Sequence, residues 1–121
     1  MAEIMKFHED CVFCKIMRGD IPSTMVYEDS FCFAFRDINP QAPVHILIVP
    51  RGHISGMNEL RRDNSAIMGH LFTAVAKIAA QEGIDGSGYR VVCNCGEDAG
   101  QTVDHLHLHL LGGKKLEERQ G

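Results

Sequence analysis

Hydrophobic and polar positions alternate most strictly in residues 104–111, which read DHLHLHLL and are called the histidine segment below. An alternation of period two is typical of a β-strand with one buried face. His105, His107 and His109 are therefore expected on one face, and the leucines between them on the other. Every second side chain along a strand lies roughly 6.5–7 Å from the last. The three imidazoles can thus converge on one small ligand or one metal ion.

Two shorter segments nearer the N-terminus predict a β-hairpin. Residues 25–28 and 31–36 have the composition of strands, and only two residues separate them, which is a hairpin length. Phe31, Phe33 and Phe35 alternate within the second segment. We expect these three rings together on the core face of the sheet.

Two further apolar segments predict the rest of the sheet. The continuous apolar run 44–50 is typical of a central strand that is covered on both faces. Residues 89–95 predict a strand that pairs with the histidine segment. Within it, Cys93 and Cys95 are expected to face one way and Asn94 the other.

Apolar residues at helical spacing occur in two places. They predict a short helix over residues 11–19 and a long helix over residues 64–82. Asp63 or Asn64 is suited to cap the start of the long helix, and Gly83 lies just past its end.

Composition and charge narrow the class of protein. The chain has 121 residues, enough for one domain with one core. It contains no run of about 18 apolar residues that predicts a membrane span, and residues 1–10 lack the apolar core of a signal peptide. The net charge of −4 argues against binding to a nucleic-acid backbone, which usually requires a basic surface. An odd number of cysteines without a secretory signal favours free thiols and a cytoplasmic location.

Cys11 and Cys14 form a CxxC motif within the predicted short helix. In one helical turn both thiols can reach the same point. The motif is compatible with half of a zinc site, a redox pair or two small buried side chains. A thioredoxin-like redox motif would require a preceding strand in a βαβ unit, which the sequence does not predict.

Facing imidazoles are used in catalytic zinc sites and in phosphate-transfer sites, and the residues around the histidine segment favour a phosphate-transfer site. A catalytic zinc site takes two ligands from a His-x-His motif and a third from elsewhere. A phosphoryl or nucleotidyl transferase uses one neutral imidazole to attack phosphorus and neighbouring groups to donate to the phosphate oxygens. The glycine-bounded loop 96–102 leads directly into the histidine segment and ends in Thr102. Such a loop can bring N–H groups and a hydroxyl onto an anion.

Other segments supply the residue types that a nucleotide requires. Asp37, in the turn after the phenylalanine-containing strand, can bridge the two hydroxyls of a ribose, and Asn94 can orient an imidazole or the ligand. Phe13, Ile16 and Phe35 can form an apolar slot for a base. From spacing alone, a phosphate site is therefore favoured over a metal site.

Residues 105–111 match the signature His-φ-His-φ-His-φ-φ, where φ is apolar, and the chain in this respect resembles the histidine-triad family. Residues 42–50 and 53–54 are similar to that family's central strand, and residues 100–103 to its phosphate loop. The resemblance covers residues 11–113. It is closest to the branch of histidine-triad nucleotide-binding proteins that hydrolyse purine nucleoside phosphoramidates.

The resemblance implies a fold, a reaction and an assembly. The fold is α+β, with a five-stranded antiparallel sheet, one long helix and one short helix, and the assembly is a homodimer. It divides the chain into an N-terminal arm, 1–10, a histidine-triad domain, 11–113, and a C-terminal tail, 114–121. The implied reaction removes an amine or acyl substituent from the α-phosphate of a purine nucleoside monophosphate through a nucleotidyl-histidine intermediate. Alternatives are a non-catalytic nucleotide-binding or interaction protein, a dinucleoside polyphosphate hydrolase, and a metalloprotein that uses the triad itself.

The resemblance also implies roles for individual residues. His107 is the nucleophile, while His45 and His109 contact the α-phosphate or hold the reactive tautomer of His107. We expect Nδ1–H of His107 to donate to a backbone carbonyl, so that Nε2 attacks. The implied nucleotide-binding residues are Phe13, Ile16, Phe35, Asp37, Ile38, Asn94, Gly100, Gln101, Thr102, His107 and His109.

A further resemblance concerns the cysteines. Some bacterial members of the family bind zinc through two cysteines and two histidines, and the matching residues here are Cys11, Cys14, His53 and His105. Such a set makes a closed, structural zinc site. His105 would then belong to the metal and not to the phosphate.

Overall fold

The computed structural model describes residues 10–118, which form a five-stranded antiparallel sheet with one helix on each face. The α+β fold expected from the resemblance is confirmed. Apart from Asp10, the predicted N-terminal arm lies outside the described residues. The elements in chain order are α1 (Val12–Arg18), β1 (Met25–Glu28), β2 (Cys32–Arg36), β3 (Val44–Pro50), α2 (Ala66–Gln81), β4 (Tyr89–Val92) and β5 (Leu108–Gly112), with short 3₁₀ turns at Met57–Glu59 and Glu97–Ala99.

The strands are arranged in the order β1-β2-β3-β5-β4, and every neighbouring pair is antiparallel. Strand β3 is central, as its continuous apolar run predicts, and its residues 45–50 are all buried. The β1–β2 hairpin and the pairing of β4 with β5 also agree with the prediction.

The two faces of the sheet carry separate cores. Alternate residues of β3 belong to different faces, because Ile46 and Ile48 pack with α2 while Leu47 and Val49 pack with α1. The larger core lies between the sheet and α2, and the smaller one holds Phe13 together with residues of β2 and β3. Side chains of β3 and β5 that point away from α2 therefore lie on the α1 face.

The phenylalanines of the hairpin do not all lie in the core. Phe33 and Phe35 are buried on the α1 face, but Phe31 is 41% exposed, and the prediction that it joins them is wrong. The cause is the Asp29 carboxylate, which accepts the N–H groups of Phe31 and Cys32 at 2.7 and 2.8 Å. This turn delays the start of β2 to Cys32 and leaves the Phe31 ring outside the sheet.

Helix α2 buries most of its apolar residues, with Ile67, Leu71, Val75 and Ile78 all in the larger core, but Phe72, which the helical spacing places with them, is 49% exposed. Gly83 follows it in the left-handed conformation with φ of +73°, which favours glycine. Among residues 10–118, no helix has the length and apolar composition to cross a membrane.

The start of α2 differs from the predicted cap. Ser65 precedes the helix and makes no capping hydrogen bond with its side chain. The Asn64 carboxamide instead accepts the Arg61 N–H at 2.6 Å and donates to the Glu59 carbonyl at 3.0 Å. Asn64 therefore closes the turn before the helix.

The histidine segment is a strand only in its second half. Strand β5 begins at Leu108, which pairs with Ile48 of β3. Further upstream the ladder stops near Pro50, which has no N–H to donate, and Leu106 N–H donates to the Ile54 carbonyl beyond the end of β3. Strand β4 ends in the same region, so Cys93 and Cys95 lie just after it, half-buried, and not within it as expected.

Candidate active site and candidate metal centre

The catalytic histidines expected from the sequence lie together on the α1 face of the sheet. His45 is at the start of β3, His109 is within β5, and His107 immediately precedes β5. The ring centroids of His107 and His109 are 5.0 Å apart, and those of His45 and His109 are 5.2 Å apart. The imidazole of His105 is not part of this group, because its Nδ1 faces Cys11 and Cys14.

The hydrogen bond of His107 determines which of its ring nitrogens carries the proton. Its Nδ1 lies 2.7 Å from the His105 carbonyl oxygen. A carbonyl can only accept, so Nδ1 carries the hydrogen and Nε2 keeps its lone pair. This is the expected hydrogen bond. Burial lowers the pKa of His107, against the opposing effects of the His105 carbonyl and the Asp37 carboxylate, and so favours the neutral ring at neutral pH.

A chain of contacts fixes the tautomers of the other two rings. The Gln41 N–H donates to His45 Nδ1 at 3.1 Å, so neutral His45 carries its proton on Nε2. That Nε2 lies 3.0 Å from His109 Nδ1 and 3.4 Å from an Asp37 carboxylate oxygen. His45 therefore donates to His109 Nδ1, and neutral His109 carries its own proton on Nε2.

The three histidines are held neutral mainly by burial. Burial lowers the pKa of His45, against the opposing effect of Asp37. Burial, followed by the neighbouring His107 and His45, lowers the pKa of His109 to about 4. At neutral pH the site therefore offers one ring with a nitrogen lone pair and another with an N–H donor.

Asp37, His45 and His109 present ligand atoms within 4.8 Å of one another, which is close enough for a metal ion. Their hydrogen bonds do not fit one. Nδ1 of His45 accepts the Gln41 N–H, so Nε2 of the neutral ring is protonated and has no lone pair for a metal. The arrangement is that of a hydrogen-bonded relay.

Some of the expected base-binding residues come together and one does not. The Phe13 ring meets Phe35 edge-on at 5.6 Å and His107 edge-on at 5.0 Å. Ile16 packs against the same cluster. Ile38 stands apart on the turn after β2, and 89% of its side chain is exposed.

The predicted phosphate loop is closed by Gln101. The Gln101 carboxamide accepts the Gly96 N–H at 2.9 Å and donates to the carbonyls of Ser55 and Val103 at 2.8 and 3.0 Å. Gly100 has φ of +81°, a conformation that favours glycine. The Gln101 side chain thus holds the loop in shape, a structural role that the sequence did not predict.

Thr102 and Asn94 flank this loop. Asn94 donates to the Ala99 carbonyl at 2.9 Å, which holds the loop from its other side. Thr102 is exposed and borders an open cleft of about 360 Å³, which is also lined by Asp10, Cys11, Val12, His53, Val103 and Asp104.

Cys11, Cys14, His53 and His105 form a second cluster. Cys11 Sγ lies 3.2 Å from His105 Nδ1, and Cys14 Sγ lies 3.6 Å from His53 Nδ1 and 3.7 Å from His105 Nδ1. In a tetrahedral zinc site, bonds of about 2.3 Å to sulfur and 2.0–2.1 Å to nitrogen separate neighbouring ligand atoms by roughly 3.3–3.8 Å. The donor set and its spacing therefore fit zinc.

The surroundings of His105 also fit a metal ligand. Its Nε2 lies 3.1 Å from the Pro50 carbonyl oxygen, which can only accept, so the proton is on Nε2 and the Nδ1 lone pair faces the sulfurs. A second hydrogen bond of this kind usually orients a metal-bound histidine. The Pro50 carbonyl is a contributor that the sequence alone gave no reason to name.

Comparison with known proteins places most of the chain in one family, the family that the sequence resembles. The HIT domain family model matches residues 18–116, which includes all the histidines of both clusters but neither Cys11 nor Cys14. A protein of Escherichia coli K12 named purine nucleoside phosphoramidase is 48% identical over 108 residues, which are 89% of this chain and 91% of that protein. An uncharacterised HIT-like protein of Synechococcus elongatus is 54% identical over 89% of this chain and 94% of its own length.

Solved structures agree with the sequence comparison. A histidine triad protein from Clostridium difficile is 47% identical, with a TM-score of 0.92 over 95% of this chain and all of that chain. A HIT family hydrolase from Legionella pneumophila is 46% identical, with a TM-score of 0.89 over 93% of this chain and all of that chain.

Proposed function

Since this chain belongs to the HIT domain family, we propose that it is a hydrolase that removes amine or acyl substituents from the α-phosphate of purine nucleoside monophosphates. The observation that carries the proposal is the hydrogen bond from His107 Nδ1–H to the His105 carbonyl, which leaves the Nε2 lone pair for attack. The name of the similar Escherichia coli protein, purine nucleoside phosphoramidase, supports this class of substrate.

The first step of the proposed reaction is attack on phosphorus. Nε2 of neutral His107 forms a bond to the α-phosphorus while the bond to the amine or acyl oxygen breaks. The leaving group takes the bonding electron pair and, where it is an amine, a proton. That proton comes from solvent, and the Nε2–H of His109 donates a hydrogen bond to the leaving group, because Nδ1 of His109 already accepts from His45.

The second step is hydrolysis of the nucleotidyl-histidine. Water adds to phosphorus, the bond from phosphorus to His107 Nε2 breaks, and the nucleoside monophosphate leaves. Asp37 is proposed to bind the ribose hydroxyls, and the apolar residues Phe13, Ile16 and Phe35 to hold the base. Ile38, which is exposed on the turn after β2, is proposed to contact the base as well. Asn94, Gly100, Gln101 and Thr102 are proposed to form the phosphate-binding loop.

The test compares His107→Ala with His70→Ala on adenosine 5′-phosphoramidate. His107→Ala is expected to give no turnover above buffer and no nucleotidyl adduct by intact-protein mass spectrometry. His70 lies on α2, stacked on Phe31, so His70→Ala is expected to keep wild-type turnover. Full activity of His107→Ala would refute the assignment. A wild-type protein that binds adenosine monophosphate but turns over none of several aminated and acylated nucleotides would instead be a non-catalytic binding protein.

We also propose a structural zinc ion on Cys11, Cys14, His53 and His105. The spacing of the four donors supports it, and two cysteines with two histidines make a closed site that holds its elements together without binding substrate. Because both thiols must stay reduced to bind a metal, we infer a cytoplasmic location. Elemental analysis of protein prepared without chelator is expected to give one zinc per chain, and His53→Ala well below one. Wild-type protein with well under one zinc per chain would contradict the proposal.

A further inference from the structure

We propose that the metal centre positions the nucleophile. A metal ion on Cys11, Cys14, His53 and His105 holds the main chain at His105, and that main chain holds His107 in its attacking tautomer. The inference rests on the proposed function, because it takes His107 as the nucleophile. It makes His105 a positioning residue, which acts through His107 and touches no substrate.

His105 is the link because it is bonded in three directions. Its Nδ1 lies 3.2 Å from Cys11 Sγ, its Nε2 donates to the Pro50 carbonyl at 3.1 Å, and its own carbonyl accepts from His107 Nδ1 at 2.7 Å. The side chain is fully buried. A metal bond at Nδ1, together with the hydrogen bond at Nε2, restrains the ring and through it the main chain of His105, which carries the carbonyl that His107 uses.

That carbonyl decides which nitrogen of His107 is free. A neutral imidazole carries its proton on either nitrogen, and a nearby carbonyl stabilises the tautomer with the proton on the nitrogen that faces it. When the carbonyl of His105 moves out of line, the tautomer with the proton on Nε2 gains population. In that tautomer the attacking nitrogen has no lone pair to offer.

Phe13 provides a second connection between the cysteines and the active site. It lies between Cys11 and Cys14 in the sequence, and its ring centroid is 5.7 Å from that of His105 and 5.0 Å from that of His107. Helix α1 has only seven residues, which is short for a helix that must be stable by itself. Metal binding by the two cysteines thus also fixes the apolar wall that Phe13 presents to His107.

The experiment reads the tautomer of His107 directly, in the absence of substrate. Long-range ¹H–¹⁵N spectra of protein with ¹⁵N-labelled histidine are recorded at one neutral pH, for zinc-loaded protein and for the same protein stripped by a chelator and dialysed. We expect His107 as a single Nδ1–H species with zinc and as a mixture of tautomers without it. In parallel, kcat on adenosine 5′-phosphoramidate is expected to fall about 10–100-fold on stripping and to return on addition of zinc.

A matched pair of variants separates the metal from general effects of a lost imidazole. His53→Ala removes one ligand and leaves His105 and His107 in place, so we expect it to behave like the stripped protein. His70→Ala removes a histidine from α2 and is expected to behave like the wild type. If His53→Ala does not fold, stripped wild-type protein below its melting temperature provides the same comparison.

The spectra also separate this inference from the proposed function. A zinc-dependent tautomer would support the positioning role even in a protein that turns over no phosphoramidate. The inference would be overturned by zinc that binds stoichiometrically and whose removal changes neither the His107 spectrum nor kcat. It would equally be overturned by a protein that takes up no zinc.

Discussion

At the scale of single residues, a main-chain N–H determines which nitrogens carry the protons in two histidines of the candidate active site. The Gln41 N–H occupies Nδ1 of His45, which directs the Nε2–H of His45 to His109 Nδ1. His109 in turn is left with its own proton on Nε2. The order of these rings thus gives the hydrogen bonds one direction, from Gln41 through His45 to His109, whose Nε2–H remains as the donor at the end of the chain.

The burial of His45, His107 and His109 predicts how the stability of the protein depends on pH. The pKa of His109 is about 4 in the folded chain, below its ordinary value of 6.5, so the unfolded chain binds this proton first as the pH falls. Protonation in that range stabilises the unfolded state relative to the folded state. The free energy of unfolding is therefore expected to decrease as the pH falls from about 6.5 to about 4. The lowered pKa values of His45 and His107 act in the same direction. Urea unfolding measured at several pH values checks the trend.

His109→Asn provides the control for this prediction. The variant removes one titrating ring from the site, so the decrease in its free energy of unfolding over this pH range should be smaller than in the wild type. An identical pH dependence in both proteins would show that His109 does not contribute to it.

At the scale of elements, the loop before the histidine segment is shaped by one carboxamide. Gln101 bonds the Gly96 N–H on one side and the carbonyls of Ser55 and Val103 on the other. It therefore ties the loop to the segment after β3, which includes His53 of the Cys/His cluster. The predicted phosphate site depends on this loop keeping its shape.

Gln101→Glu is expected to disrupt the loop. A carboxylate can still accept from the Gly96 N–H, but it meets the Ser55 and Val103 carbonyl oxygens with no hydrogen to donate. We expect a loss of roughly 1–3 kcal/mol in the free energy of unfolding, and a fall of roughly 10–100-fold in kcat/KM from the displaced loop. Gln81→Glu, which also removes a carboxamide donor to a carbonyl, is the matched control and should keep kcat/KM. Unchanged kcat/KM in Gln101→Glu would show that the loop does not shape the site.

The sequence predicted the elements better than their ends. The bounds of β1 and β3 agree with the predicted segments because their apolar patterns are local. The histidine segment does not start as a strand at His105, because Pro50 and the Ile54 carbonyl, which are distant in sequence, determine where the β3–β5 ladder stops. The residue types of the site were also predictable, but the tautomers of His45 and His107 depend on tertiary contacts with main-chain atoms.

At the scale of the whole molecule, the two faces of the sheet carry different kinds of residues. The face toward α2 holds the larger apolar core, and the face toward α1 holds His45, His107 and His109 of the candidate active site and the Cys/His cluster. Strands β1 and β4 are the edges of the sheet. An edge strand has main-chain groups that another strand can pair with.

We predict that the protein is a homodimer, as the family resemblance implies. The four-residue strand β4 offers an edge, and Tyr89 at its start is 40% exposed, which suits contact with a second copy. Light scattering coupled to size-exclusion chromatography is expected to give twice the 13.4 kDa chain mass at micromolar concentration. The mass of a single chain across that concentration range would contradict the prediction.

The stacked rings of Phe31 and His70 lie outside the sheet and provide an NMR signal for its packing against α2. The rings of Phe31 and His70 are nearly parallel, at 8°, with centroids 3.6 Å apart. The ring current of Phe31 therefore shields the imidazole protons of His70 and shifts their resonances upfield. Phe31 belongs to the hairpin and His70 to α2, so this shift is an internal signal for the docking of one on the other, separate from any signal of the active site.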